Sequence, residues 1–460
     1  MSKSAKRNVL LSVMFTAAVF LQLCVLGVAN HAGEGYLPAE RREWVYYALQ
    51  VFVIIGFFAY AAVRAALRGR RAERVILAAA LCVFFAGTAV MLVCGGSPFS
   101  LVVTFATVLC LGFWCGAVYE RMSEAAASGA RAAAVMGVSY AAAVALQFVL
   151  ALEWGITPLF YVFMPAAFVV LCVMLLRPPR ALSVSQEAPA SAPAPTPKMS
   201  VLFACLIAAA LLLFSSFYNG YIHHLQVSSG YTDYNVYSWP RLMLIPCYLL
   251  FALIGDRQKG RAVRAAAVCI ALVALLNSVL IGNAEAYSLN MCLFYCAIAG
   301  AVSYYNLTFW RLAQGTKHPA LWASMGRIID SGTVLLAGAL HISSLPASSV
   351  LALDIVYLAA IIVLMALGDR SAAPAADKTA PGAPREDVFD VIRGRYELTA
   401  RETDVFRELV LTEDKQTVIG ERLSIRPRTV QLYVTSLYQK TGASTRAGLT
   451  DIYHETLSGR

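Results

Sequence analysis

Residues Leu398–Tyr453 read LTARETDVFRELVLTEDKQTVIGERLSIRPRTVQLYVTSLYQKTGASTRAGLTDIY. This is the one polar, charge-rich, compact segment in a chain that is otherwise almost continuous hydrocarbon. Thr399 precedes Glu402 by three residues, the spacing of a capping box: the hydroxyl accepts an orphan amide and the carboxylate reaches back. Val405, Leu409 and Val410 follow at helical spacing. A second short helix is expected over Lys415–Leu423, with Val418, Ile419 and Leu423 inward. After the break Ser424-Ile425-Arg426, Pro427 suits the first position of a third helix, where its missing amide costs nothing.

That third helix, Pro427 to about Lys440, places Val430, Val434, Leu437 and Thr441 on one arc at 100° per residue, facing a small core. Arg428, Gln431, Leu432, Thr435 and Gln439 fall on the opposite arc. It offers donors, acceptors and one apolar contact, and no acid. Such a face suits a major groove: Gln pairs with adenine edges, Leu and the Thr methyl meet a thymine methyl, and Arg reaches phosphate or guanine. Gly442 should end the helix, and a fourth runs from about Ser444 to His454.

The segment resembles the C-terminal domain of the LuxR family of bacterial transcription regulators. The matching residues are Leu398-Thr399, Arg401-Glu402, Val405, Leu409, Ile419, Leu423, Ile425, Thr429-Val430, Leu437-Tyr438, Lys440, Gly442 and Arg446. The resemblance implies a four-helix domain that reads a two-fold site with its third helix and dimerises largely through its last. Carried onto this chain, it makes Arg428, Thr429, Gln431, Leu432, Thr435, Lys440, Lys415 and Arg426 the expected DNA contacts. Gln431, Leu432 and Thr435 would face bases, and Arg428 and Lys440 phosphates; Leu449 and Tyr453 would pair. The sequence departs from the family at Gly420, Gln431, Tyr433 and Ser436, where Ala, Lys, His and Asn are usual. From Tyr396 on, nine Lys and Arg residues face nine Asp and Glu residues. A neutral domain lacks the basic footprint of a strong binder, so a monomer should bind weakly and require a homodimer.

The rest of the chain has membrane composition: 59% hydrophobic and 14% charged residues, with mean hydropathy +0.65. Met1–Arg7 is short and basic, and the apolar run Asn8–Ala29 competes with a signal-peptide reading. At about 22 residues the run exceeds an ordinary signal core, so it counts as the first span. Runs long enough to cross a bilayer follow at Val45–Val63, Val75–Gly95, Pro98–Tyr119, Ala132–Leu152 and Ile156–Leu176. Arg177–Lys198 is a Pro/Ala/Ser-rich linker. Six more runs follow: Met199–Asn219, Tyr234–Ile254, Ala262–Gly282, Ala286–Phe309, Leu321–His341 and Pro346–Leu367. A second Ala/Pro-rich linker, Ser371–Glu386, leads to the polar tail.

The expected fold is therefore all-α: a polytopic bundle of twelve helices, six plus six, with a C-terminal four-helix helix-turn-helix domain. The expected boundaries are 1–176 and 199–368 for the two bundles, 177–198 for the linker, 369–392 for the tether and 393–460 for the tail. Lys and Arg crowd the N-terminus, the loop after span 2 (Arg64, Arg68, Arg70, Arg71, Arg74), the central linker and the loop after span 8 (Arg257, Lys259, Arg261, Arg264). By the positive-inside rule both termini are cytoplasmic in a multi-pass plasma-membrane protein. This puts the tail where DNA is.

The six-plus-six plan resembles the major facilitator superfamily of transporters. The loop after span 8 carries Gly255-Asp256-Arg257 and Gly260-Arg261, like that superfamily's cytoplasmic signature with one extra residue. The loop after span 2 keeps Gly69-Arg70-Arg71 and lacks the Asp. The resemblance implies two bundles rocking around a central cavity, lined by spans 1, 4, 7 and 10, which would include Gln22 and Trp114. Charges inside spans are costly and point to function. Asp330 and Arg327 share a face at i, i+3, either as a structural pair or as a ligand or gating contact. Arg241, Asn219, Tyr304, Tyr305 and Asn306 complete the candidate contacts for a small-molecule ligand; the aromatic ones read equally as an interfacial belt. Cys292 and Cys296 have no His or carboxylate at ligand spacing and read as small buried hydrophobes. No metal or cofactor is expected. No Walker, GxSxG, HExxH or kinase-like set appears, so an enzyme is not expected. The expected partners are double-stranded DNA, membrane lipid, a small molecule and a second copy of the chain. The expected function is a membrane-embedded regulator that senses the small molecule; the alternative is a transporter with a regulatory tail.

Overall fold

The computed structural model describes residues 3–34, 39–67, 70–94, 97–152, 156–179, 198–229, 238–256, 287–340, 345–372, 388–412, 414, 416–423 and 425–457. Among the described residues every regular element is helical, and the chain divides into two compact units, Met1–Ala373 and Pro374–Arg460. The first unit holds α1 (Lys3–Glu34), α2 (Ala39–Ala66), α3 (Arg70–Val93), α4 (Pro98–Ala127), α5 (Ala132–Gln147, continued as a π-turn to Leu152) and α6 (Phe160–Leu176). After the linker come α7 (Lys198–Ser229), a 3₁₀ turn (Trp239–Met243), α8 (Leu244–Ile254), α9 (Tyr287–Ala313), α10 (Pro319–Ala339) and α11 (Ala347–Ala372).

Six of the described helices are long and apolar enough to cross a bilayer: Ser4–Ala29, Trp44–Ala66, Arg71–Val93, Pro98–Ala127, Ala132–Leu150 and Tyr287–Ala313. Shorter apolar helices cover Phe160–Leu176, Lys198–Leu213, Trp239–Ile254 and Ile355–Leu367. Each expected run meets a helix, except Ala262–Gly282, which lies outside the described residues. The outer faces carry Phe99, Val102, Val93 and Leu253 at 66–84% exposure. Side chains of that kind on a helix surface fit a lipid solvent, where nothing drives them inward.

What joins helices in such a solvent is close approach of backbones. Where α2 crosses α4, Gly56 meets Gly112: a Cβ on Gly56 would lie 2.2 Å from the Leu109 carbonyl oxygen, and one on Gly112 2.3 Å from that of Val53. The two most extensive seams between the half before the linker and the half after it are α2 with α10 and α5 with α8, and α4 also meets α9 and α10. On the first, Ser331 donates to Gln50 at 2.9 Å. On the second, a Cβ on Gly137 would lie 2.3 Å from the Tyr248 carbonyl oxygen.

The second unit holds α12 (Val388–Arg395), α13 (Ala400–Leu411), α14 (Gln416–Arg422), α15 (Pro427–Thr441) and α16 (Arg446–Leu457). Its core is Phe389, Ile392, Leu398, Val405, Phe406, Leu409, Ile419, Val430, Val434, Leu437 and Leu449. The expected boundary at residue 393 falls inside α12, and the domain has five helices among the described residues rather than four. Phe389 and Ile392, one helical turn apart, are both buried; the polar residues around them give this stretch the composition of a tether.

Candidate nucleic-acid interface

The outward face of α15 is held from behind at three levels. The first is apolar: Val430, Val434 and Leu437 are buried on the inward arc, as the periodicity requires. The second is the turn from α14. Gly420 packs so closely there that a Cβ would lie 2.7 Å from the Ile425 carbonyl oxygen, while the Ile425 amide donates to the Gly420 carbonyl at 2.9 Å. Pro427 opens α15, and Gly442 closes it in the left-handed region (φ 75°), a conformation that costs glycine little.

The third level is a buried carboxylate. Glu402, in the first turn of α13, accepts from the Thr399 amide (2.7 Å) and hydroxyl (2.9 Å), completing the capping box. It also accepts from two α15 side chains, the Ser436 hydroxyl at 2.5 Å and the Lys440 ammonium at 2.8 Å. Burial pushes this carboxyl up, but the donors from Lys440, Ser436 and Thr399 outweigh it and hold it at about 2. Ser436, one of the departures from the family pattern, thus anchors α15. Lys440 also donates to the Glu397 carbonyl at 3.1 Å. Its ammonium is engaged inside the domain, which sequence reasoning, assigning it to phosphate, did not foresee.

Two arginines are spent internally as well. Arg446 donates to the carbonyls of Leu409 (2.8 Å), Asp414 (2.8 Å) and Thr412, capping the C-terminal end of α13. Arg422 pairs with Glu408 and with Asp414, the latter at 2.7 Å, and both hold its guanidinium above its ordinary value. Arg426 and Arg428 stay exposed at the start of α15, so positive charge is presented there.

Arg428, Gln431, Leu432, Thr435 and Gln439 are all exposed on one side of α15, and Thr429 is half-buried. Leu432 is 67% exposed, a conspicuous apolar side chain on an otherwise polar face. The Thr435 hydroxyl bonds back to the Gln431 carbonyl at 3.0 Å, which leaves its methyl as the group it offers. Lys415 lies outside the described residues. For the expected pairing residues the structure gives a correction: Leu449 is fully buried in the domain's own core. A side chain with no accessible surface offers nothing to a second copy. Tyr453 is half-buried and stacks on Phe389 of α12, ring centroids 5.3 Å apart. The signal that sequence reading passed over was Phe389 itself, an aromatic one turn before Ile392.

Several of the candidate ligand residues of the membrane unit gather around Arg327, which faces Asp330, Tyr305, Tyr119 and Tyr140. Arg327 and Asp330 form an ion pair with each other. Tyr305 packs its ring against Gly326 of α10, and Tyr304 is buried. Asn306 donates to the Tyr140 hydroxyl at 3.3 Å, and Arg241 to Gln147 at 3.0 Å. Gln22 meets the Cys115 thiol at 3.9 Å. Trp114 turns away toward α3, against Phe84 at 5.3 Å. The Asn219 side chain lies outside the described residues. A groove of 660 Å³ lies elsewhere, among Val9, Val13, Phe20, Val138, Phe163 and Val170 of α1, α5 and α6.

The two halves touch near both ends of the bundle. At the end where α5 begins, Asp256 accepts from the amides of Ala133 and Ala134, each at 3.0 Å, neutralising the orphan donors of that helix. Arg311 backs it at 3.7 Å, and the Ser123 hydroxyl donates to the Trp310 carbonyl at 2.8 Å. Toward the other end lie Arg241 with Gln147, and Tyr47 against Gly338. Between them, Phe15, Tyr119, Tyr140, Tyr248 and Trp310 make a continuous aromatic cluster.

Residues 396–453 match the family model described as "Bacterial regulatory proteins, luxR family". Among solved structures the chain is similar to the human organic anion transporter MFSD10 (TETRAN). The match covers 80% of this chain and 100% of that one, at 14% identity and a TM-score of 0.55. At that identity the likeness shows the fold. No curated protein matches this sequence. The chain thus joins a LuxR-type helix-turn-helix domain to a membrane unit with a major-facilitator-like fold.

Proposed function

We propose that this chain is a membrane-embedded, one-component transcription regulator. It senses a small molecule through its transporter-like unit and binds promoter DNA through α15. The observation that carries the proposal is the joining of an intact reading face to a facilitator-like membrane unit in one chain. In this reading both termini are cytoplasmic. Gln431, Leu432 and Thr435 contact base edges, Arg426, Arg428, Thr429 and Lys415 contact the backbone, and the exposed side of α16 pairs two copies.

The ligand acts by favouring a state in which the seams between the halves loosen, shifting the population. Arg327, Asp330, Arg241 and the α9 residues Tyr304, Tyr305 and Asn306 then line the space that opens. Support comes from buried polar atoms with no hydrogen-bond partner among the described residues, the Trp310 indole nitrogen and the Ser303 hydroxyl, both on α9. Each is costly to leave unsatisfied and available to a ligand.

The test is a footprint of the fragment from Val388 to Arg460 on DNA upstream of the protein's own and neighbouring genes. A protected two-fold site that disappears with Gln431→Ala and Arg428→Ala supports the reading. No protection by a fragment forced to dimerise refutes it and leaves transport, measured as uptake into vesicles, as the function to test.

A further inference from the structure

Sequence spacing pairs Cys296 with Cys292; the fold brings it to Cys247 instead. The two sulfurs lie 3.3 Å apart across the packed helices α8 and α9, and both residues are half-buried. We infer that Cys247 and Cys296 are a redox-active dithiol that a lipid-soluble quinone oxidises to a disulfide. The inference stands apart from the regulatory reading, since it concerns chemistry within the membrane unit alone.

Depth selects the oxidant. Cys247 lies eight residues before Gly255, where α8 ends, and Cys296 nine residues after Tyr287, where α9 begins. At 1.5 Å per residue each thiol sits about 12–14 Å from a helix end, in a hydrocarbon layer about 30 Å thick. Charged, water-borne disulfides do not enter that layer; an apolar two-electron acceptor does.

The reaction balances. One sulfur adds to a quinone carbon, and its proton passes to a quinone oxygen. The second sulfur then attacks the first, the S–S bond forms, the C–S bond breaks, and the hydroquinone leaves with the electron pair and the second proton. Two thiols are oxidised and one quinone is reduced. The sulfurs must close from 3.3 Å to about 2.05 Å, a distance within reach of side-chain rotation. The product ties α8 to α9.

The experiment uses the full chain in lipid nanodiscs with decylubiquinone, whose ring substitution leaves no site for permanent thiol addition. The expected result is close to one hydroquinone per chain and a Cys247–Cys296 cross-linked peptide by mass spectrometry. Cys247→Ser or Cys296→Ser should drop both to background, and Cys292→Ser should leave both unchanged. Oxidised glutathione should act at least tenfold more slowly. If a serine variant misfolds, alanine replaces it. Absence of the 247–296 cross-link overturns the inference, as does oxidation by glutathione disulfide at the quinone's rate.

Discussion

Where α2 crosses α4, two glycines let the backbones meet, and toward one end of the crossing the Tyr60 hydroxyl and Arg64 guanidinium of α2 reach Glu120 of α4. Where α13 crosses α15, a buried glutamate gathers four hydrogen bonds, two of them from the opposing helix. At this crossing the membrane unit brings backbones together by removing side chains, whereas the α13–α15 crossing is fixed by a buried polar node. The solvent accounts for the difference. In lipid, apolar contact between helices replaces apolar contact with acyl chains and gains little, so backbones must approach until dispersion and packing decide. In water, eleven buried apolar residues supply the drive, and the charged node fixes the angle at which α15 is presented.

The contrast can be broken most sharply at the glycine seam. Gly56→Leu drives a branched side chain into the α4 backbone and should destabilise the membrane unit by ~3 kcal/mol or abolish its folding. Thermal unfolding of the detergent-solubilised chain, followed by tryptophan fluorescence, reads the loss. A variant that melts with the parent would show that the seam is looser than two glycines imply.

At the polar node, Glu402→Gln leaves Lys440 without its counter-charge and should cost about 2–3 kcal/mol in urea unfolding of the C-terminal domain. The acid limb gives the sign. The native Glu402 carboxyl is depressed to about 2 from an ordinary 4.5, so its contribution is complete above 4.5 and fades as pH falls from there through about 2. The glutamine variant should lose less stability over that window. Equal acid slopes for parent and variant would remove Glu402 from the account.

A smaller effect is expected at Gly420→Ala. The methyl adds helix propensity worth about 1 kcal/mol but must displace the Ile425 carbonyl, so a net loss near 1 kcal/mol should appear in the urea midpoint. A gain in stability would mean that the turn yields freely. The smallest stability effect belongs to Gln431→Ala, within ~0.5 kcal/mol of the parent, because this side chain stands in water. A larger change would place Gln431 in the fold rather than on its exposed face.

Most of the C-terminal domain was legible, and for a physical reason. Its helices are short and amphipathic, so period, cap and stop each leave a residue signature: Thr399 with Glu402, Pro427, the arc of Val430, Val434 and Leu437, and Gly442 are where the structure has them. What escaped were side chains whose partners lie far along the chain. Lys440 answers to Glu402, and Tyr453 to Phe389, across loops that no local pattern spans. In the membrane unit the positions of the helices were legible from hydropathy, but their facing was not. A helix such as α4 is apolar all round, so nothing in its sequence told that Trp114 turns toward Phe84. The pairing of Cys247 with Cys296 was hidden likewise, 49 residues apart.

The division of α15 into an anchored side and an open side bears on how such a protein changes over generations. Val430, Val434, Ser436, Leu437 and Lys440 fasten the helix. Residues 428, 431, 432, 435 and 439 are free of that duty. Substitutions at the second set can accumulate without threatening the fold, so a duplicated copy can change what this face presents while its inherited architecture stays untouched.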